Sequence, residues 1–409
     1  MTKHSINTVL VLLLMTLMAA CHKDDDRPMR DTRTVIVYIA AENSLYDYAR
    51  MDVQEMLAGV GNIGDGDHLV IFLDDLNLPR IYVLDNKTTA LTLANLTPTH
   101  TFDTELNSAD AATLHQVLGY ATSHCPATTY ACVFWSHGSG WLFDSTVSSN
   151  MQPHSLPRRS FGIDNGQNTS SNRGHKMYIS DMAQVLKDFP RMKFILFDAC
   201  FMQTIEVAYE LKDCADYIIG SPAEIPAYGA PYHQIMPSMF ATQFTPGSLI
   251  SAYANYYTAA YPFSVVLSAI KTDEIDNFAS YMQSTLSSHT WLDRDYDNCL
   301  DYYLFDWNRQ LSLANPMPDY YDIKGLMMQT LSDSELAEWQ KEYDKMVVAC
   351  YAPRSWWSAF ASGGRGNTMA VDAAQCGGVS MYLPLAKYER YSFYADYHNT
   401  QWGKLFNIK

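Results

Sequence analysis

Two short segments carry side chains able to do covalent chemistry. In Ser136-His137-Gly138 an imidazole is followed by a glycine, whose missing Cβ lets a ligand approach the backbone closely. In Asp198-Ala199-Cys200 a thiol stands two residues after a carboxylate, 63 residues beyond the histidine. An imidazole that takes the thiol proton leaves a thiolate, the nucleophile of acyl transfer. A free thiol of pKa ~8.5 is only about 3% ionised at neutral pH, and lowering it to ~6 requires roughly 3 kcal/mol. The helical pattern that follows predicts Cys200 at a helix N-terminus, which together with the imidazole would supply that shift.

Both segments follow apolar runs, Tyr130–Trp135 and Phe194–Phe197. Similar short, β-branched or aromatic runs lie at 35–39, 69–73, 217–219 and 265–270. Such runs suit strands buried on both faces. Segments with helical spacing of apolar residues alternate with them, at 46–57, 109–120, 180–187 and 204–211. The pattern predicts an α/β fold, a mostly parallel sheet between helices, whose active site forms at the carboxyl ends of the strands. Position alone leaves two readings open: a nucleophile with its base, or a buried thiol and a structural histidine.

Composition narrows the classes. The chain has 409 residues, 48% of them hydrophobic, and a formal charge of −16. That excess of acid argues against a nucleic-acid partner, whose phosphates are neutralised by Lys and Arg. The 8 cysteines are too few for a disulfide scaffold. Cys132, within an apolar strand, reads as a core thiol, and Cys125, Cys214, Cys299, Cys350 and Cys376 show no metal-ligand spacing. No metal site is expected: neither a His-Glu-x-x-His motif nor an EF-hand pattern occurs. Gly138-Ser139-Gly140 lacks the spacing of a serine nucleophile elbow.

Residues 1–20 read as a secretory signal, with Lys3 before an apolar run from Val9 to Met18. Met18-Ala19-Ala20-Cys21 resembles a bacterial lipobox, making Cys21 the expected lipidation site. Residues 21–32 then form a polar tether. Its Lys23 followed by acids resembles the surface-export signals of some Gram-negative lipoproteins. The protein is expected to be exported and lipid-anchored to the bacterial outer membrane, with display on the outer surface left open.

The segments Val133–Gly138 and Ile195–Met202, with Thr204–Glu210 behind the latter, resemble the clostripain family of cysteine peptidases, which has the caspase and gingipain fold. Further matches lie at Val35–Leu45, Gly220–Gly229 and Gly378–Pro384, so the resemblance extends over nearly all of residues 33–409. It implies a Cys200/His137 dyad, an oxyanion held by the backbone N–H groups of Gly138 and Cys200, and Asp198 as the acid that selects a basic residue before the cut. The competing role for Asp198 is to cap the following helix. It also implies self-cleavage in the long polar stretch 144–177, where Arg158, Arg159, Arg173 and Lys176 are candidate sites; an inert insertion is the alternative.

Clostripain itself is associated with calcium, but no cofactor is expected from these residues, and the sequence leaves calcium dependence undecided. The expected partners are protein or peptide substrates with basic residues, and a membrane through the lipid anchor; a monomer is expected. A surface-binding lipoprotein of the same fold with weak catalysis is the competing function. Residues 33–271 are the expected caspase-like catalytic domain. Residues 272–409 are expected to form a mostly helical C-terminal addition, with Ser332–Cys350 as one helix and 379–383 returning to the sheet as a late strand. Its many aromatics, Trp356 and Trp357 among them, read as core.

Overall fold

Long apolar runs bury strands on both faces, and the chain uses them to build one wide sheet. The computed structural model describes residues 31–142, 161–166, 175–292, 294–296, 298–302, 320–359 and 367–406. The strands are β1 (Arg33–Ala40), β2 (His68–Asp74), β3 (Arg80–Leu84), β4 (His100–Thr101), β5 (Thr129–Trp135), β6 (Phe161–Asp164), β7 (His175–Met177) and β8 (Met192–Asp198). They continue as β9 (Tyr217–Gly220), β10 (Leu267–Lys271), β11 (Tyr321–Asp322), β12 (Val347–Tyr351), β13 (Ser355–Ser358), β14 (Asn367–Ala370) and β15 (Ser380–Met381). The nine-stranded central sheet has the order β12-β10-β9-β8-β5-β1-β2-β3-β4. Strands β2, β1, β5, β8 and β9 run parallel, and antiparallel strands finish both edges.

Two helical layers cover the sheet. Alternate residues of β1 point to opposite sides, Val35, Val37 and Ile39 to one and Ile36 and Tyr38 to the other. The first side packs on α1 (Tyr46–Ala58). The opposite side packs on α2 (Ala111–His124), α3 (Ile179–Leu186) and α4 (Ile205–Glu210). α5 (Tyr232–Met239) and α6 (Pro246–Ala260) join the α1 layer, while α7 (Ile275–Leu286), α8 (Ile323–Thr330) and α9 (Asp333–Met346) extend the other. The described residues from 32 onward form one compact unit. No helix among the described residues is long and apolar enough to cross a membrane.

Four expectations change. The helix expected over Ser332–Cys350 stops at Met346, and Val347–Tyr351 continues as β12, the edge strand beside β10. Valines at 347 and 348 suit that edge better than a helical turn. The late strand does not return to the central sheet: β15 pairs with β11 in a separate two-stranded sheet. The stretch 144–177 is not loop throughout, because β6 and β7 pair in it, with Phe161 and Asp164 fully buried. Cys200 is not at a helix N-terminus, since α4 begins only at Ile205, capped by Thr204, whose side chain accepts the Val207 N–H at 3.2 Å. Cys21, Arg158, Arg159 and Arg173 lie outside the described residues. Lys176 falls on β7.

Candidate active site

The carboxyl ends of β5 and β8 converge. Beyond Trp135, Ser136 donates its hydroxyl to Ala40 O at 2.7 Å, tying the turn to the end of β1. His137 follows, held on two sides. Its Nε2 and Ser44 Oγ are 2.9 Å apart, and its carbonyl accepts the Gly162 N–H at 2.9 Å. Gly138 then packs directly on the cysteine segment: a Cβ there would lie 2.6 Å from Cys200 O and 2.8 Å from Met202 Sδ. Only glycine fits at this close approach.

After β8 the chain turns through Ala199, Cys200 and Phe201, whose φ of 60° is in the left-handed region. The Phe201 N–H donates to Ala223 O at 3.0 Å and the Gln203 N–H to Ser221 O at 3.0 Å, so the turn is pinned to the loop after β9. The Cys200 thiol donates to Ile225 O at 3.6 Å, and Sγ accepts the Ile225 N–H at 3.3 Å. Burial, then the nearby Glu224 carboxylate, push this thiol up to about 12, against the smaller pull of the Ile225 N–H and its own. The expected lowering is therefore absent, because the helix after Cys200 begins five residues beyond it while burial and an acid act on the sulfur.

Cys200 and His137 line one cleft of about 240 Å³, with Trp135, Asp198, Ile225 and Trp357 among its walls. The aromatic pair splits: Trp356 is buried, while Trp357 faces the cleft. Asp198 is on the cleft floor and caps no helix. Its Oδ2 accepts the Ala230 N–H at 2.8 Å and the Tyr232 hydroxyl at 3.0 Å, and its Oδ1 accepts the Tyr253 hydroxyl at 3.1 Å. Despite three donors, burial raises its carboxyl to about 6.

A second acid stands beside it. Asp52 accepts the Trp135 indole N–H at 2.6 Å, and burial together with Asp198 raises its carboxyl well above the ordinary range. Gly229, with φ +63°, packs against both: a Cβ there would lie 2.6 Å from Asp52 Oδ2 and 2.8 Å from Asp198 Oδ2. Asp52, Glu224, Tyr232 and Tyr253 were not singled out from the sequence. Asp52 did carry a signal, being an acid within the apolar stripe Ala49, Val53, Met56 of an amphipathic helix.

The clostripain family model matches residues 37–406, which include both strand ends and the cleft. The chain belongs to the clostripain family of cysteine peptidases. A secreted C11 cysteine protease from Bacteroides thetaiotaomicron, solved with an irreversible peptide inhibitor, is 29% identical at a TM-score of 0.75, with 92% of this chain and 99% of that one covered. An inactive zymogen C11 protease from Parabacteroides distasonis is 26% identical at a TM-score of 0.74, with the same coverage. Clostripain from Hathewaya histolytica is 24% identical over 224 residues, which span 49% of this chain and 41% of that protein. The caspase-like, mostly parallel sheet expected from the sequence is thus the family's fold.

Proposed function

We propose that this clostripain-family chain is an endopeptidase that cleaves after Arg or Lys, with Cys200 as nucleophile and His137 as its base and acid. The observation that carries the reading is the convergence of thiol, imidazole and the buried Asp198 carboxylate on one cleft, with Asp52 beside Asp198 across Gly229. The sulfur attacks the scissile carbonyl as its proton passes to the imidazole. The carbonyl oxygen, now charged, meets the backbone N–H groups of Gly138 and Cys200. Collapse of the tetrahedral adduct breaks the C–N bond; His137 returns the proton to the leaving amine and a thioester stays on Cys200. Water, deprotonated by His137, then hydrolyses the thioester.

Selection of a basic side chain rests on Asp198 and Asp52. Two adjacent buried carboxylates repel one another, and a guanidinium or ammonium entering past Gly229 offsets that repulsion. Export with lipidation at Cys21 and self-cleavage at Arg158, Arg159, Arg173 or Lys176 belong to the same proposal. In their support, one relative is described as secreted and another as a zymogen.

A peptide electrophile ending in Arg tests the dyad. The account expects stoichiometric labelling of Cys200, none in Cys200→Ala, and little with the same peptide ending in Asp. Labelling spread over other cysteines, or indifferent to the terminal residue, would contradict it.

A further inference from the structure

Two cysteines away from the cleft meet beside the edge of the central sheet. Cys350 is on the edge strand β12, exposed, and paired in register with Ser268 of β10. Cys376 is buried and directly precedes Gly377 and Gly378. The Cys376 thiol donates a hydrogen bond to Cys350 Sγ, which together with burial raises it well above the usual thiol range. The turn after Cys376 packs on the same sulfur: a Cβ on Gly378 would lie 2.7 Å from Cys350 Sγ and 2.9 Å from Ser268 Cβ. Gly378 has a φ of +78°, a conformation that favours glycine.

Both partners are held by their own frameworks. Pairing with β10 fixes the Cys350 backbone. Asp322 Oδ2 accepts the Gly377 N–H at 2.8 Å and the Gly378 N–H at 2.9 Å, and Ser268 Oγ donates to Gly378 O at 2.6 Å. The Tyr302 hydroxyl stands 3.3 Å from Cys376 Sγ. Neither cysteine is among the residues lining the cleft of Cys200 and His137, so the peptidase chemistry leaves this pair unused. Thiols already in hydrogen-bond contact need only a short side-chain movement to reach the geometry of a covalent bond.

We propose that Cys350 and Cys376 are a disulfide site, closed by exchange with a donor disulfide in an oxidising compartment. From the reading above it takes only export to such a compartment. The exposed Cys350, as thiolate, attacks one sulfur of the donor; the donor S–S bond breaks and one donor thiolate leaves. Cys376, its proton given to water, then attacks Cys350 Sγ and displaces the second donor thiolate. Two electrons pass to the donor and the two cysteines lose two protons. The closed loop, residues 350–376, carries β13 and β14. β13 supplies Trp357 to the cleft wall, and the Ala359 N–H beyond it donates to Glu224 Oε1 at 3.3 Å. The bond therefore staples the base of one cleft wall to the sheet edge.

The test uses the full chain carrying Cys200→Ala, so that no turnover occurs and a failed peptidase reading leaves the outcome unaffected. The protein is reduced, freed of reductant, treated with oxidised glutathione and digested without reduction for mass spectrometry. A peptide joining Cys350 to Cys376 is expected, with two fewer thiols titrating in denaturant than in the reduced sample. The thermal midpoint should be higher in the oxidised protein by at least about 3 °C. Cys350→Ser, a change at an exposed position, should give no such linked peptide and a midpoint indifferent to redox state. Alkylatable Cys350 and Cys376 after oxidation, a glutathione adduct on Cys350 that Cys376 never displaces, linkage to other cysteines, or equal midpoints in the two states would overturn the proposal.

Discussion

Gly138 and Cys200 are in backbone contact: a methyl group on Gly138 would sit 2.6 Å from the Cys200 carbonyl oxygen. This contact sets the distance between the turn that carries the imidazole and the turn that carries the sulfur. Gly138→Ala must push them apart. Since a misplacement of about 1 Å can cost roughly a hundredfold in rate, kcat should fall by about that factor with KM less affected. Steady-state kinetics on an Arg-ending peptide substrate checks this; an unchanged kcat would show that the contact does not position the dyad.

Asp198 and Asp52 divide the work of selection. Asp198 faces the cleft and Asp52 lies behind Gly229. Replacing either acid by its amide should weaken the preference for Arg and Lys over neutral residues, with the larger loss from Asp198→Asn. An ion pair desolvated in such a floor is typically worth ~3 kcal/mol, or roughly a hundredfold in kcat/KM. Comparing kcat/KM for peptides ending in Arg and in norleucine reads the effect. Equal ratios in parent and variants would remove both acids from the specificity site.

Stability should rise as pH falls from 8 towards 5. Burial raises Glu206 and Glu224 to about 7 and Asp198 and Asp322 to about 6. These acids bind protons more tightly folded than unfolded, where their pKa is about 4. The stability they contribute is fully present below the unfolded value and is lost as pH rises through 6 and 7. Melting of Cys200→Ala should therefore give a lower midpoint at pH 8 than at pH 5.5, and Glu206→Gln should shrink the difference. A midpoint that is constant, or higher at pH 8, would contradict the assignment.

Self-cleavage predicts a simple gel. Purified parent chain should resolve into two fragments cut within residues 144–177, and Cys200→Ala should remain single. Lys176 lies on β7, and a bond held in a paired strand is a poor protease substrate. Fragments in the Cys200→Ala sample would assign the cut to another protease.

The sheet was legible because its central strands are continuous apolar runs, and His137 and Cys200 because each directly follows one. The sequence misled where local pattern and tertiary context part. Val347–Tyr351 follows the helical pattern with no Gly or Pro to mark a stop, yet completes a sheet edge. The apolar pattern from 204 onward is helical, yet the turn at Phe201 and the pinning of 201–203 to 221–223 delay the helix past the cysteine. Cys350 and Cys376 have two strands between them in sequence, so only the fold reveals their contact.

The most direct measurement is a digest of a peptide library by parent and Cys200→Ala protein, with cleavage sites read by mass spectrometry. The account predicts cuts after Arg or Lys with the parent and none with the variant. Cuts that persist in Cys200→Ala, or that show no basic residue before them, would contradict it.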